Sequence, residues 1–256
     1  MKNLFIALSA LVLLYLVVGL FLYLRQRYFL YYPTPKIIAA NYKNMFLEND
    51  NEKINIIVLN EGRENAILYF GGNAESMAQS ADYIAGQFPE FTVYLMDYRG
   101  YGLSTGEASE EGLYSDALCL YDKVKAQHTR ISVGGRSLGT AVATYVAANR
   151  EVSKLALITP FDSIVNVAQD RYPVYPVSLL LHDKYDSESR VKDIKAKTFI
   201  VIAGNDEVIP RERTEALIKA FYPEQLETAV IENRGHSDIS SDERYYRIMQ
   251  AFIGEG

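Results

Sequence analysis

Ser137 stands in the run Gly135-Arg136-Ser137-Leu138-Gly139, a G-x-S-x-G spacing. A serine hydroxyl is a weak nucleophile until a neighbouring base takes its proton. Glycines two positions to either side suit a sharp strand-to-helix turn too crowded for side chains, which leaves the serine strained and exposed. At such a turn the Leu138 amide, opening the helix, faces the charge that develops on an attacked carbonyl oxygen. The base must be a histidine, and the chain holds three: His128, His182 and His236. Other chemistries start poorly. The single cysteine, Cys119, excludes a disulfide framework and a Cys-ligated zinc site. HExxH, paired-histidine spacings and GxxxxGK[ST] are absent from the sequence.

The elements around the serine follow from apolar runs and turn residues. Short β-branched or apolar runs predict strands at Ile54–Leu59, Ala66–Phe70, Phe91–Met96, Ile131–Val133, Leu155–Ile158, Phe199–Ile202 and Thr228–Ile231. Helical stretches fall between them at Glu75–Gln87, Leu138–Asn149, Arg211–Ala220 and near Glu243–Phe252. A further helix is capped by Ser109 and sets Leu113, Ala117, Leu120 and Val124 on one face. Apolar strands alternating with helices imply an α/β fold, a mostly parallel sheet covered on both sides. The serine turn joins the strand Ile131–Val133 to the helix Leu138–Asn149.

Serine enzymes built on such a sheet order their triad Ser, acid, His along the chain. Only His236 follows the late strands, in a loop between the last strand and the last helix. There an imidazole projects over the sheet edge, whereas His128 and His182 read as structural or solvent-facing. Asp206 directly follows a strand and suits the acid, which orients the imidazole and stabilises its cation. Glu207 and Asp238 are rival acids by the same placement test.

With these residues in place, the chain resembles membrane-anchored members of the α/β-hydrolase superfamily, in the branch of prolyl-oligopeptidase-like and protein depalmitoylase-like enzymes. Five segments between about Tyr69 and Asp238 carry the resemblance: Phe70-Gly71-Gly72-Asn73-Ala74, Asp97-Tyr98-Arg99-Gly100-Tyr101-Gly102-Leu103-Ser104-Thr105-Gly106, the Ser137 turn, Asp206 to Pro210, and Gly235-His236. It implies an α/β-hydrolase fold and a second oxyanion donor after Phe70, the Asn73 amide. Where the family usually has His-Gly before that Asn, this chain has Gly71-Gly72, and Ala203 replaces a common glycine three before the acid.

Gly100-Tyr101-Gly102 after a strand also resembles a dinucleotide fingerprint. Gly106 comes one residue late for G-x-G-x-x-G, and no acid ends a following strand about 20 residues on. Tight turns are the simpler role, with Asp97 and Arg99 fixing loops beneath the site. Arg136 reads as a buttress beside the nucleophile, with an anionic-substrate contact as the alternative.

Upstream, Leu4 to Leu24 is a run of 21 residues without a charge. As a helix it measures roughly 31 Å, close to the hydrocarbon thickness of a bilayer. It ends at Arg25-Gln26-Arg27, followed by tyrosines and Phe29 suited to the headgroup layer. The apolar run is longer than a signal-peptide core, and no small-x-small cleavage site follows directly. We therefore expect residues 1–27 to be a single-pass membrane anchor and 28–256 an α/β-hydrolase catalytic domain. The positive-inside rule favours a catalytic domain on the cytoplasmic face. Thirty-two acidic against 26 basic residues give a net charge of −6, which disfavours nucleic acid as a partner.

The expected chemistry is two-step acyl transfer on an ester or thioester by Ser137, His236 and Asp206, with Leu138 and Asn73 amides on the oxyanion. It requires no metal or diffusible cofactor, and an anchored enzyme favours lipidic or membrane-borne acyl substrates. A peptidase and a noncatalytic tethered binding protein are the alternatives; nothing in the sequence indicates an oligomeric state. The irregular stretch 161–191 interrupts the alternation with Pro173, Pro176 and Leu179-Leu180-Leu181. It reads as a short lid, with Tyr175 and Leu180 as substrate-binding candidates.

Overall fold

The structure is a computed structural model that describes residues 1–254. An eight-stranded sheet organises the chain after its first helix, in the order β1-β2-β4-β3-β5-β6-β7-β8. Its strands are β1 (Lys43–Asn49), β2 (Glu52–Leu59), β3 (Asn65–Phe70), β4 (Phe91–Met96), β5 (Arg130–Arg136), β6 (Lys154–Ile158), β7 (Lys197–Ala203) and β8 (Leu226–Ile231). β1 and β2 run antiparallel to their neighbours, and every pairing from β4 through β8 is parallel. This is the α/β-hydrolase fold expected from the sequence.

Both faces of the sheet are covered, which is why its strands read as continuous apolar runs. Along β2, Ile54, Ile56 and Val58 enter one core while Ile57 and Leu59 enter the other. The first core is closed by α3 (Glu110–Val124), α4 (Leu138–Asn149) and α7 (Arg211–Ala220). α2 (Met77–Gln87) and α8 (Glu243–Gly254) close the second. The apolar stripe of α3 is fully buried at Leu113, Ala117, Leu120 and Val124. Ser109 caps that helix by accepting a hydrogen bond from the Gly112 amide at 3.1 Å.

Three features depart from the sequence reading. β1 was not expected: along KNMFLEN only Leu47 is buried, so an edge strand with one apolar anchor carries no pattern to find. α2 begins at Met77 rather than Glu75, because the Glu75 carboxylate is engaged in the preceding turn. Within 161–191 lie α5 (Ile164–Arg171), capped by Ser163, and the single turn α6 (Val177–Leu180). α5 has no fully buried residue, so its helical pattern is faint in the sequence.

The first helix, α1, runs from Lys2 to Leu30 and so continues past residue 27. Its length and composition suffice to cross a membrane.

One ion pair locks the long loop after β4 to the body. Arg99 donates Nε and Nη2 to the Asp116 carboxylate, both at 2.8 Å, and Asn49 Nδ2 reaches the same group at 2.7 Å. Asp116 is fully buried. Removing one partner of such a pair strands the other, whereas removing both does not. Arg99→Met is expected to cost about 3–5 kcal/mol, and Arg99→Met/Asp116→Leu distinctly less. Thermal melts of the two variants check this; equal melting temperatures would contradict it.

Candidate active site

The C-terminal ends of the parallel strands collect the candidate residues, as expected at the ligand edge of an open α/β sheet. Ser137 ends β5 and opens α4, Asp206 follows β7, His236 follows β8, and the turn Gly71–Asn73 follows β3. These loops meet because β5 and β3 are adjacent at the sheet centre, with β6, β7 and β8 in order beside them.

Ser137 has φ 50° and ψ −119°, a left-handed backbone that L-residues resist. The flanking glycines are sterically required. A Cβ on Gly139 would run into the Phe70 carbonyl, and one on Gly135 into the Gly139 carbonyl. The helix start thus packs directly on the end of β3, and Ser137 Oγ is turned toward His236.

His236 Nε2 lies 2.8 Å from Ser137 Oγ, and its Nδ1 lies 2.9 and 3.1 Å from the two Asp206 carboxylate oxygens. An ionised carboxylate only accepts, so Nδ1 carries the proton and Nε2 is left to accept from the serine hydroxyl. Asp206 is held in turn: its Oδ1 accepts from the Val208 and Ile209 amides at 2.9 and 2.8 Å. Ser137 and His236 are buried.

The His236 loop is gripped on both sides of that residue. Arg136 Nη2 donates to the carbonyls of His236 and Ser237, each at 3.0 Å. Glu207 Oε2 accepts from the His236 amide at 3.0 Å. Arg136 is therefore a buttress in this structure. Glu207 and Asp238 each bond the backbone of the histidine loop, Asp238 accepting from Gly235 at 2.7 Å, while Asp206 meets the ring.

The turn after β3 is held as firmly. Glu75 Oε2 accepts from the Gly72 amide at 3.0 Å, Tyr98 donates to the Gly71 carbonyl and Tyr101 to that of Asn73, both at 2.7 Å. Burial raises both phenol pKa values, so each stays a donor. A Cβ built on Gly72 would sit 3.7 Å from the Ser137 Cβ, which places the turn beside Ser137. Among the described residues, the Asn73 and Leu138 amides have no hydrogen-bond acceptor. The Gly72 amide is already spent on Glu75. Glu75 escaped the sequence reading; the signal available was its place three residues after Gly72 in a turn.

Other candidates lie apart from this group. His128 bonds Tyr94 and the Arg63 carbonyl, and His182 meets Tyr23 of α1. Asp97 is buried among Asn55 and the Leu103 amide, and burial raises its pKa. It fixes the loop beneath the site, as expected. Tyr175 and Leu180 line a cavity against α1, together with Leu181, while Leu179 is 83% exposed. No group of His, Cys, Asp and Glu among the described residues is arranged to hold a metal ion.

This topology is the α/β-hydrolase fold. Residues 63–169 match the family model described as serine aminopeptidase, S33. An uncharacterised protein of Mycobacterium tuberculosis is 34% identical over 182 residues, covering 69% of this chain and 64% of its own length. The α/β-hydrolase domain-containing protein 17C of Xenopus tropicalis is 26% identical over 199 residues, covering 75% of this chain and 62% of its own. The chain thus spans just under two thirds of the length of these relatives. Among solved structures, the Pyrococcus furiosus esterase Pf2001 superposes with a TM-score of 0.69 at 15% identity, covering 88% of this chain and 97% of that one. An enol-lactonase from Burkholderia xenovorans gives 0.65 at 16% identity, covering 82% and 100%.

The Arg136 grip makes a prediction separate from the triad. In Arg136→Met the His236 loop loses two backbone bonds but keeps its side-chain partners. Labelling of the protein by a fluorophosphonate is expected to slow about tenfold, a positional loss, with the melting temperature nearly unchanged. Unaltered labelling would mean that Arg136 does not position the loop.

Proposed function

We propose that this protein is a membrane-anchored serine hydrolase that cleaves carboxylic ester or thioester bonds of acyl substrates. The observation that carries the reading is the Ser137–His236–Asp206 hydrogen-bond line, 2.8 Å and 2.9 Å long, at the edge where such folds bind ligands. Ser137 Oγ attacks the carbonyl carbon while His236 Nε2 takes its proton. The Leu138 and Asn73 amides receive the oxyanion. His236 returns the proton to the departing alcohol or thiol, leaving an acyl-serine. Water then attacks with His236 again as base, and Ser137 is released.

The substrate class follows from the surroundings. The cavity between α1 and residues 161–191 is apolar, and among the described residues that line it the one of full charge is a cation, Arg171. An aminopeptidase needs an anion to hold the substrate's amine, so the lining supports an acyl chain instead. Fold neighbours named as an esterase and an enol-lactonase support the same chemistry. We place residues 1–27 in the membrane as a single-pass anchor, with residues 28–256 as the catalytic unit on the cytoplasmic face. Tethering raises the local concentration of substrates that share the bilayer.

The first test is substitution at the site. Ser137→Ala is expected to abolish both fluorophosphonate labelling and hydrolysis of p-nitrophenyl esters, with folding intact by circular dichroism. His236→Ala should lower kcat by about 10³-fold or more. Persistent labelling on another serine, or full activity without His236, would overturn the assignment. Panels of esters, thioesters and aminoacyl anilides then set the bond type.

A further inference from the structure

The helix expected to serve as an anchor also packs against the 161–191 segment. Between α1 and the 161–191 segment lies a cavity of about 280 Å³. The partly covered residues of α1 include Gly19, Leu22, Gln26 and Leu30, a spacing that gathers them on one face. All four line the cavity. Its inner wall reaches the oxyanion turn, because the Leu30 carbonyl accepts from Asn73 Nδ2 at 3.0 Å. Gly72, next in that turn, is the residue packed beside Ser137.

α1 and the lid match in polarity level by level. At the charged end of the helix, Arg27 pairs with Asp183 at 2.8 Å and Gln26 Oε1 accepts from the His182 amide at 2.7 Å. Deeper, the Tyr15 ring stacks on Tyr175 with centroids 4.6 Å apart. Tyr15 donates its hydroxyl to the Val174 carbonyl and Tyr175 donates to that of Tyr15, each at 3.0 Å. Gly19 permits this approach: a Cβ there would come within 2.8 Å of Tyr175 Cε1. Tyr15 lies nine residues inside Leu24, about 14 Å along the helix and near the middle of a ~30 Å hydrocarbon core.

The lid tip therefore reaches as deep as the centre of the apolar span, and its composition suits that depth. Tyr172 to Leu181 contains no charged residue. Val174 and Leu179 are 69% and 83% exposed on its outer side, unburied by any other part of the chain. Polar groups in hydrocarbon need internal partners. The two tyrosine hydroxyls have them, as do the Tyr175, Leu179 and Leu181 amides.

We infer that residues 172–181 insert into the bilayer beside α1, and that the cavity between the two receives the acyl chain of a bilayer lipid ester laterally, from the hydrocarbon, and leads its carbonyl to Ser137. The insertion stands on packing and polarity alone; the identity of the chain as substrate rests on the hydrolase reading above. Lateral entry spares the acyl chain a passage through water.

The chain lacks tryptophan, so Leu179→Trp makes the full-length protein a single-reporter probe. Reconstituted into phosphatidylcholine vesicles, the introduced indole should show blue-shifted emission that drops by about half or more when the lipid is brominated at mid-chain, as expected for a side chain in hydrocarbon. Water-like emission without quenching would overturn the insertion. Leu22→Phe narrows the cavity from the helix side. In the same vesicles it should lower the ratio of long-chain to short-chain ester hydrolysis about tenfold. An unchanged ratio would overturn the cavity as the acyl site. If the unaltered protein hydrolysed neither ester, the hydrolase reading would fall, while the quenching measurement, which needs no turnover, would still decide the insertion.

Discussion

The close contact of two backbones, where α4 starts and β3 ends, is the constraint on which the site depends. Gly139 lies against the Phe70 carbonyl and Gly135 against Gly139, leaving no volume for a side chain at either. That crowding bends the chain so sharply that Ser137 takes φ 50°, at a cost of about 1–3 kcal/mol that the buried surroundings must offset. In return the hydroxyl is lifted off the sheet toward His236, and the Leu138 amide opens toward the same space. The same contact brings the turn after β3 beside the nucleophile, so both oxyanion donors of the proposal depend on it.

Around that fixed point, the loops are each tied by polar bonds. Arg136 and Glu207 hold the backbone on the two sides of His236, and the Val208 and Ile209 amides hold the Asp206 carboxylate. Tyr98, Tyr101 and Glu75 hold the Gly71–Asn73 turn. Catalytic groups positioned this way lose little freedom on reaching a transition state, which is where preorganisation contributes most. Because Arg136 sits one residue before Ser137 and touches the histidine loop, two of the three candidate groups share one mechanical connection.

What the sequence disclosed, and what it withheld, follows the range of the interactions. The serine turn was legible because its glycines answer a steric demand within five residues. The core strands were legible because burial on both faces leaves an unbroken apolar run, as along β7 from Phe199 to Ala203. β1 was not, since an edge strand with one buried residue reads as a polar loop. Placement after late strands singled out Asp206 and His236, but the backbone partners of Arg136 and the role of Glu75 depend on loops that meet only in space. The packing of α1 on residues 172–181 was the least legible. Tyr15 and Tyr175 are 160 residues apart, and a uniformly apolar helix offers no face to single out.

That last contact changes how the two parts of the chain are understood: the helix long and apolar enough to cross a membrane also walls the cavity beside residues 172–181 and, through Leu30 and Asn73, touches the turn after β3. α1 and the sheet-bearing part of the chain are in direct contact. The central claim remains chemical, that acyl transfer passes through Ser137. It is tested most directly by rapid-quench intact mass spectrometry of the full-length protein during turnover of a p-nitrophenyl acyl ester, followed by peptide mapping. The account predicts a transient gain of one acyl group, confined to the peptide that carries Ser137 and decaying as substrate is exhausted. Turnover with no covalent adduct, or an adduct on another residue, would contradict it.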